Sequence, residues 1–570
     1  MVAWKCVCLM FVLLVSFQGR GQLARFDLVI TEIMADPSPQ VGLPNAEYVE
    51  IRNRSGSAVN LQGWKLTDGS STGTVSSSVI LEADSSIVFC ANGQVAGLSV
   101  FGRTIGLTGF PSLNNDEDLL MLKSPDGLLI HVVAYSSSWH DNNVKKDGGW
   151  SLEMVDITNP CGGRENWRSS TDIKGGTPGK TNSVAAPLPD TSPPGLIRTW
   201  TIDSVHIVLL FSESLDSLHA AATTHYSMDN NAVLEAIPQG PLFQTVELRL
   251  AAAMQPSIVY RVNAEHLKDC SGNEMPLQQS AKAGLSQMAK SGDVVINEIL
   301  FNPHPSGYDY VELFNGSLKI IDATSLFLAN RDGAGNIGSQ KKIREAPFYI
   351  FPGEYVVITE NIEDISKRYF VKNPSQLIEL SSMPSYPDKN GTVVVTNISG
   401  DVVDEVSYSD DWHFALIRDP SGVSLERIDP VGSSREKANW HSASTTAGFG
   451  TPTYQNSQFG QIAAGNAMIS ASPPVFSPDN DGYDDVVTIT YSFSEPGYVV
   501  NVVVFDVRGR QVRQLIRNAL AGKEGAWRWD GLDENRQALP AGLYIIFLEA
   551  FNLQGKKQIA KLPVVLAGRR

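Results

Sequence analysis

Cysteine is scarce in this chain, with five residues in 570. A disulfide-dense scaffold, which replaces a hydrophobic core in small secreted folds, is therefore excluded. Long apolar runs are absent after Val15, so no later segment reaches the roughly 18 residues a membrane-spanning helix needs. Dense clusters of lysine and arginine are absent as well. The 45 basic residues are outnumbered by 61 acidic ones, for a net charge of −16. Such a chain is repelled at long range by nucleic acid and anionic lipid, and it carries no strong nucleic-acid signal. Charged residues are 19% and hydrophobic ones 42%, which is globular rather than disordered composition.

The chain is rich in glycine and proline, 48 and 31 residues, with Ser/Thr-rich turns at short intervals. That texture predicts many short strands. At one domain per ~150 residues, the length predicts about four domains. Lys5, the apolar run Cys6 to Val15 and a small polar exit predict an export signal over residues 1–21, cleaved near Gly21. Cys6 and Cys8 come too early to be a lipid-attachment site. Cleavage removes Lys5 and Arg20 and no acid, which takes the charge from −16 to −18.

Two stretches say nearly the same thing. One reads Tyr135-Ser-Ser-Ser-Trp139-His140, Ser151-Leu-Glu-Met-Val-Asp156, Glu165-Asn-Trp167 and Gly176-Thr-Pro178. The other reads Tyr408-Ser-Asp-Asp-Trp412-His413, Ser424-Leu-Glu-Arg-Ile-Asp429, Ala438-Asn-Trp440 and Gly450-Thr-Pro452. They end two longer repeats, 25–183 and 292–456. Each repeat opens with an apolar strand holding Glu32 or Glu298. A second strand follows, Tyr48-Val-Glu50-Ile or Tyr310-Val-Glu312-Leu, whose alternation predicts one buried and one open face.

Several residue groups invite chemistry. The pairs Glu32 with Glu50 and Glu298 with Glu312 suit glycoside cleavage if held about 5–9 Å apart. No substrate cleft accompanies them in the sequence, and strand-end charges or acids capping backbone groups are the simpler reading. Gly69-Ser-Ser71-Thr-Gly73 has the letters of a serine nucleophile elbow but lies in a loop between strands, not at a strand-to-helix turn. Gly175-Gly-Thr-Pro-Gly179-Lys180-Thr181 misses a phosphate loop by one residue. Trp139-His140 and Trp412-His413 lack a second ligand at metal spacing and read as packed tryptophans with a rim histidine. Asp479, Asp481, Asp484 and Asp485 surround Gly482 as calcium-loop acids do, yet no glutamate closes the loop; a solvated acidic turn is the alternative. Calcium is the one cofactor the sequence suggests. After signal removal Cys90, Cys161 and Cys270 remain. A Cys90–Cys161 bridge within the first repeat is one reading, three unpaired thiols the other.

Leu-Val-Ile-Thr-Glu32-Ile-Met, Glu47-Tyr-Val-Glu50-Ile-Arg-Asn, Leu61-Gln-Gly-Trp64-Lys-Leu-Thr-Asp and the closing Gly-Gly-Thr-Pro-Gly resemble the bacterial exported form of the lamin tail domain. The resemblance implies an Ig-like β-sandwich; in the second repeat the stretch Leu326 to Ser385 departs from it. Residues 194–286, with Phe211-Ser-Glu213 and Asp269-Cys-Ser-Gly-Asn273, resemble the Ig-like module of surface-layer proteins. Residues 468–570, with Val504-Phe-Asp-Val-Arg-Gly-Arg510 and Pro540-Ala-Gly-Leu-Tyr544, resemble the Ig-like domain of flagellar hook-capping proteins and of type IX secretion sorting modules. The expectation is an all-β chain of tandem Ig-like sandwiches, secreted or at the cell surface. Its repeat framework is Glu32, Glu50, Trp64, Trp139, Trp167, Glu298, Glu312, Trp412 and Trp440. The expected role is non-catalytic structure and interaction with an extracellular polymer or surface protein, with the secretion machinery reading the C-terminal module. A carbohydrate- or nucleic-acid-binding adhesin is the alternative, and a secreted hydrolase a more distant one.

Overall fold

A computed structural model describes residues 24–275, 277–460 and 468–568; the expected signal segment lies outside them. The chain is all-β, a series of sandwiches. In the first repeat a six-stranded sheet runs in the order Trp167–Ser169, Leu152–Met154, Leu28–Met34, Tyr48–Asn53, Ser86–Ala91, Thr104–Leu107. A four-stranded sheet, Leu129–Ser136, Glu117–Lys123, Lys65–Thr67 and Thr72–Thr74, faces it. The core between them holds Ile30, Val49, Ile51, Trp64, Phe89, Leu122 and Trp167.

The second repeat has the same strand order. Its six-stranded sheet is Trp440–Ser442, Leu425–Arg427, Val294–Leu300, Tyr310–Asn315, Tyr355–Thr359, Leu377–Glu379, and in both repeats only the last pair is parallel. The divergent middle stretch therefore changes a crossover, not the topology. Before the parallel strand the first repeat uses a single turn, Val95–Leu98, and the second a longer helix, Ile362–Arg368. Asn361 caps that helix by accepting from Asp364 N at 2.8 Å, with acids in its first turn and bases in its last.

One expectation fails in an informative way. The opening and second strands are buried on both faces, in all seven residues of Leu28–Met34 and in five of six of Tyr48–Asn53. The face that alternation assigns to solvent is covered by the segment that closes each repeat.

Between the repeats lies a four-on-three sandwich whose strands include His206–Phe211, Thr245–Leu250 and Tyr260–Ala264. The last sandwich packs Trp529, Phe476, Val502 and Ile546 between a three-stranded and a five-stranded sheet. The joints are packed. Trp200 sits against Ile320, Tyr349 and Phe351, while Phe414, Val499 and Leu520 form an apolar contact between the second repeat and the last sandwich.

The cysteine pairing corrects the Cys90–Cys161 reading. Cys161 is bonded to Cys270 of the middle sandwich, with Cα atoms 6.4 Å apart. Cys90 is a free, buried thiol under the first sheet among Met34, Leu43, Tyr48 and Leu98, and burial pushes it up to about 11. It sits in a strand packed from below, whereas Cys161 is in a loop against the next module.

Candidate functional site

The register of the six-stranded sheets places three glutamates abreast on neighbouring strands. Glu32 stands opposite Glu50 on one side and Glu153 on the other; Glu298 stands opposite Glu312 and Glu426. All six are buried. They are mid-strand groups, not strand-end charges.

The closing segment, residues 175–184 in the first repeat, lies across them like a strap. Oε1 of Glu32 accepts from Tyr48 Oη at 2.7 Å, Ser151 Oγ at 2.6 Å and Thr177 N at 2.8 Å. Glu50 accepts from Thr31 Oγ1 at 2.8 Å and Gly179 N at 2.6 Å. Glu153 accepts from Thr177 Oγ1 at 2.8 Å and Ser183 Oγ at 2.7 Å. Asn182 Nδ2 ties the strap's far end to the carbonyls of Thr31 and Met154, at 2.9 and 2.8 Å.

The second repeat builds the same clamp over 449–458. Glu298 accepts from Tyr310 Oη at 2.7 Å, from Ser424 Oγ, and from Thr451 N at 2.9 Å and Oγ1 at 2.9 Å. Glu312 accepts from Thr453 N at 2.6 Å and Glu426 from Ser457 Oγ at 2.8 Å, while Thr451 Oγ1 stands 2.9 Å from Glu426 as well as from Glu298, its one proton serving one carboxyl at a time. Asn456 Nδ2 binds the carbonyls of Asn297 and Arg427, at 2.9 and 2.8 Å.

The twin Gly-Thr-Pro now has a cause. A Cβ on Gly176 would lie 2.5 Å from Tyr48 Oη, and one on Gly450 2.7 Å from Tyr369, so only glycine lets the strap approach. The threonine supplies both a backbone and a side-chain donor. Two residues on, Gly179 and Thr453 share left-handed φ values of 76° and 70°, and from there each N–H donates to its glutamate. Threonine avoids that region, but Thr453 Oγ1 accepts from Asn373 N at 2.8 Å, which holds it there.

The other twin residues are also framework. Trp139 lies on Trp167 and Trp412 on Trp440, with ring centroids 6.3 and 6.5 Å apart. His140 Nδ1 meets Ser169 Oγ at 2.9 Å and His413 Nδ1 meets Ser442 Oγ at 3.0 Å; burial lowers both histidines to about 4. Trp64 is buried in the first core, its Nε1 donating to Asn60 O at 3.1 Å. Ser71 of the Gly-Ser-Ser-Thr-Gly stretch donates to Asp68, inside an exposed turn. Asp479, Asp481 and Asp485 bring carboxylate oxygens within 4.8 Å of one another and Asp484 stands outside the group. Asp485 accepts from Asn480 N and Gly482 N at 2.6 and 2.9 Å, so the turn is held by its own backbone.

Glu153, Glu426 and the strap donors do not stand out as a site in the sequence. The signal was their recurrence inside Ser-Leu-Glu and Gly-Thr-Pro, joined to the glutamate pairs only by the fold.

Glu32, Glu50 and Glu426 hold their protons to unusually high pH. Burial first, then repulsion from Glu50 and Glu153, raises Glu32 to about 8. Burial raises Glu50 to about 7 and, with Glu298 beside it, Glu426 to about 8. Folded protein keeps these protons above the pH, about 4.5, at which the unfolded chain loses them. Their contribution is therefore complete below about 4.5 and lost as pH rises through 7 to 8. Calorimetry from pH 5 to 9 should show the repeats' melting temperatures falling by roughly 10 °C, and Glu32→Gln flattening the curve for the first repeat. A flat profile in the unsubstituted protein would contradict buried, proton-sharing carboxyls.

Comparison with known proteins fits this geometry in part. Residues 22–137 match the family model for the Lamin Tail Domain, a span that stops before Ser151-Leu-Glu153 and the strap. No curated protein is significantly similar. The N-terminal part of the bacterial S-layer protein SbsC is 12% identical over 38% of this chain and 44% of that one, with a TM-score of 0.16. A DUF4876 family protein from Bacteroides thetaiotaomicron is 14% identical over 39% of this chain and 85% of that one, at 0.18. PorZ, a surface component of the type IX secretion system of Porphyromonas gingivalis, is 9% identical over 95% of this chain and all of that one, at 0.19. The chain spans about half the length of the surface-layer structures it matches.

Proposed function

We propose that the chain is a secreted or cell-surface protein of structural and interaction type, without catalysis of its own. The carrying observation is the fate of the repeated glutamates. The strongest sequence candidates for acid–base chemistry are buried beneath a strap and engaged as hydrogen-bond acceptors, including Glu50, which borders the cleft beside the strap but has both oxygens taken by Thr31 and Gly179. A general acid or base has to reach a substrate proton; these reach the backbone of their own repeat.

In this reading residues 25–183 and 292–456 are two lamin tail domains, 194–286 is an Ig-like spacer, and 468–570 is the module read by the secretion machinery. The acidic turn at Asp479, Asp481 and Asp485 is in this reading a calcium-responsive surface feature. No helix among the described residues is long and apolar enough to cross a membrane. An adhesin for carbohydrate or nucleic acid is the second reading, since the loops are where the repeats differ. Purified protein incubated with DNA, polysaccharide and protein substrates, with and without divalent metal, is expected to give no turnover. Turnover that Glu50→Gln or Glu312→Gln abolishes, in protein that still melts cooperatively, would refute the proposal.

A further inference from the structure

Where the two clamps are the same, their flanks differ. Arg52 and Lys180 of the first repeat correspond to Phe314 and Tyr454 of the second. Both cations line one cleft of about 400 Å³ beside the strap. That volume is in the range of small-molecule sites, about 300–1,000 Å³. Its apolar lining comes from Met154 at the end of the third glutamate strand, from Ile157 just after it, and from Ala186 and Pro187 of the linker. The linker is fixed there: Ala186 N donates to Val155 O at 3.1 Å and Leu188 N to Asp156 Oδ2 at 2.7 Å.

The polar groups around the cleft are unequally engaged. Glu50 spends its two oxygens on Thr31 and Gly179, and Asp156 spends its own on Thr158 and Leu188. Arg52 is held in place through one nitrogen, Nη2, which meets Asp84 at 2.6 Å. Its Nε is buried with no hydrogen-bond partner. A buried, unpaired guanidinium donor is costly unless an acceptor arrives. Lys180 stands exposed on the strap above. The missed phosphate-loop stretch therefore places its lysine at a half-apolar cleft with two cations and two acids whose oxygens are already engaged, while the second repeat carries Phe314 and Tyr454 in place of the two cations.

We propose that this cleft binds a small organic carboxylate with an apolar body, its carboxylate set between Arg52 and Lys180 and its body on Met154, Ile157 and Pro187. Guanidinium matches carboxylate geometry and lysine adds a point charge. The proposal deepens the interaction reading by naming a ligand class for the first repeat, and it rests on that reading in treating the site as one of binding.

The test is ligand-observed NMR and calorimetric titration of the full secreted chain with phenylacetate, its neutral analogue phenylacetamide, and inorganic phosphate. Phenylacetate is expected to bind at least tenfold more tightly than the amide or phosphate. Arg52→Gln and Lys180→Gln should each weaken it about tenfold with the melting temperature unchanged, and the double change Arg52→Phe with Lys180→Tyr should abolish it. Absence of phenylacetate binding at millimolar concentration, binding indifferent to these substitutions, or phosphate binding as tightly as phenylacetate would overturn the proposal. The same spectra followed for a day report conversion of the probe. Conversion would remove the non-catalytic reading and leave the site standing.

Discussion

Glu298→Ala is expected to destabilise the second repeat by about 3–5 kcal/mol and to lower its melting transition by about 10 °C. The side chain is the common acceptor for Tyr310 Oη, Ser424 Oγ, Thr451 N and Thr451 Oγ1. All these donors come from buried residues; alanine strands Tyr310 Oη and Thr451 N, while Ser424 Oγ keeps Phe449 O and Thr451 Oγ1 keeps Glu426. A buried donor without a partner costs about 1–3 kcal/mol, and partial collapse of the strap recovers some of the sum. Glu298→Gln keeps one acceptor oxygen and should cost less than half as much. Calorimetry of the full chain, with proteolysis to show that the strap over 449–458 becomes cleavable, checks both values. A loss below about 1 kcal/mol would mean that the strap is held by its apolar contacts and not by the carboxylate.

The second large effect is at Asp404. In the first repeat the N–H of Ile30 donates to Nδ1 of buried His131 at 2.9 Å, while Nε2 donates to Pro160 O at 2.7 Å. An acceptor Nδ1 means a neutral ring, and burial lowers this histidine to about 4. In the second repeat Asp404 occupies that place, accepting from Ile296 N at 2.8 Å. A carboxylate there needs a cation, and Met154 has become Arg427, 3.0 Å from Asp404 and nearly buried. The two repeats thus solve one hydrogen-bonding problem with a neutral pair and with an ion pair. Asp404→Ala strands Arg427 and should destabilise the repeat by about 3–5 kcal/mol. Asp404→His combined with Arg427→Met installs the first repeat's solution and should recover most of that loss. A double variant no more stable than Asp404→Ala would show that the two pairs are not interchangeable.

The repeat and the all-β fold were legible because apolar alternation and turn residues are local signals. Trp64, Trp167 and Trp440 could be assigned to cores for the same reason. The clamp was not legible, because its parts are far apart: Thr177 meets Glu32 across 145 positions. Alternation put Glu50 on an open face, which is correct for the sheet alone; the strap that closes over it is a tertiary fact. The cysteine pairing failed for a related reason. Proximity within one repeat favoured Cys90 and Cys161, while the bridge joins Cys161 to a residue 109 positions away in the next module. The exchange of His131 and Met154 for Asp404 and Arg427 was written in the repeat all along, but two unlike substitutions become one event only when the strands bring them together.

The Cys161–Cys270 bond also has a mechanical consequence. A tensile load applied at the two ends of the chain would pass from Cys161 to Cys270 through sulfur and bypass the 109-position span between them. That span includes the strap of the first repeat and most of the middle sandwich. At about 3.5 Å per residue it amounts to roughly 380 Å of contour length that tension cannot release while the bond is intact. Under load the span from Cys161 to Cys270 would behave as a short inextensible link, and any give would fall to the strands before Cys161 and to the modules beyond Cys270.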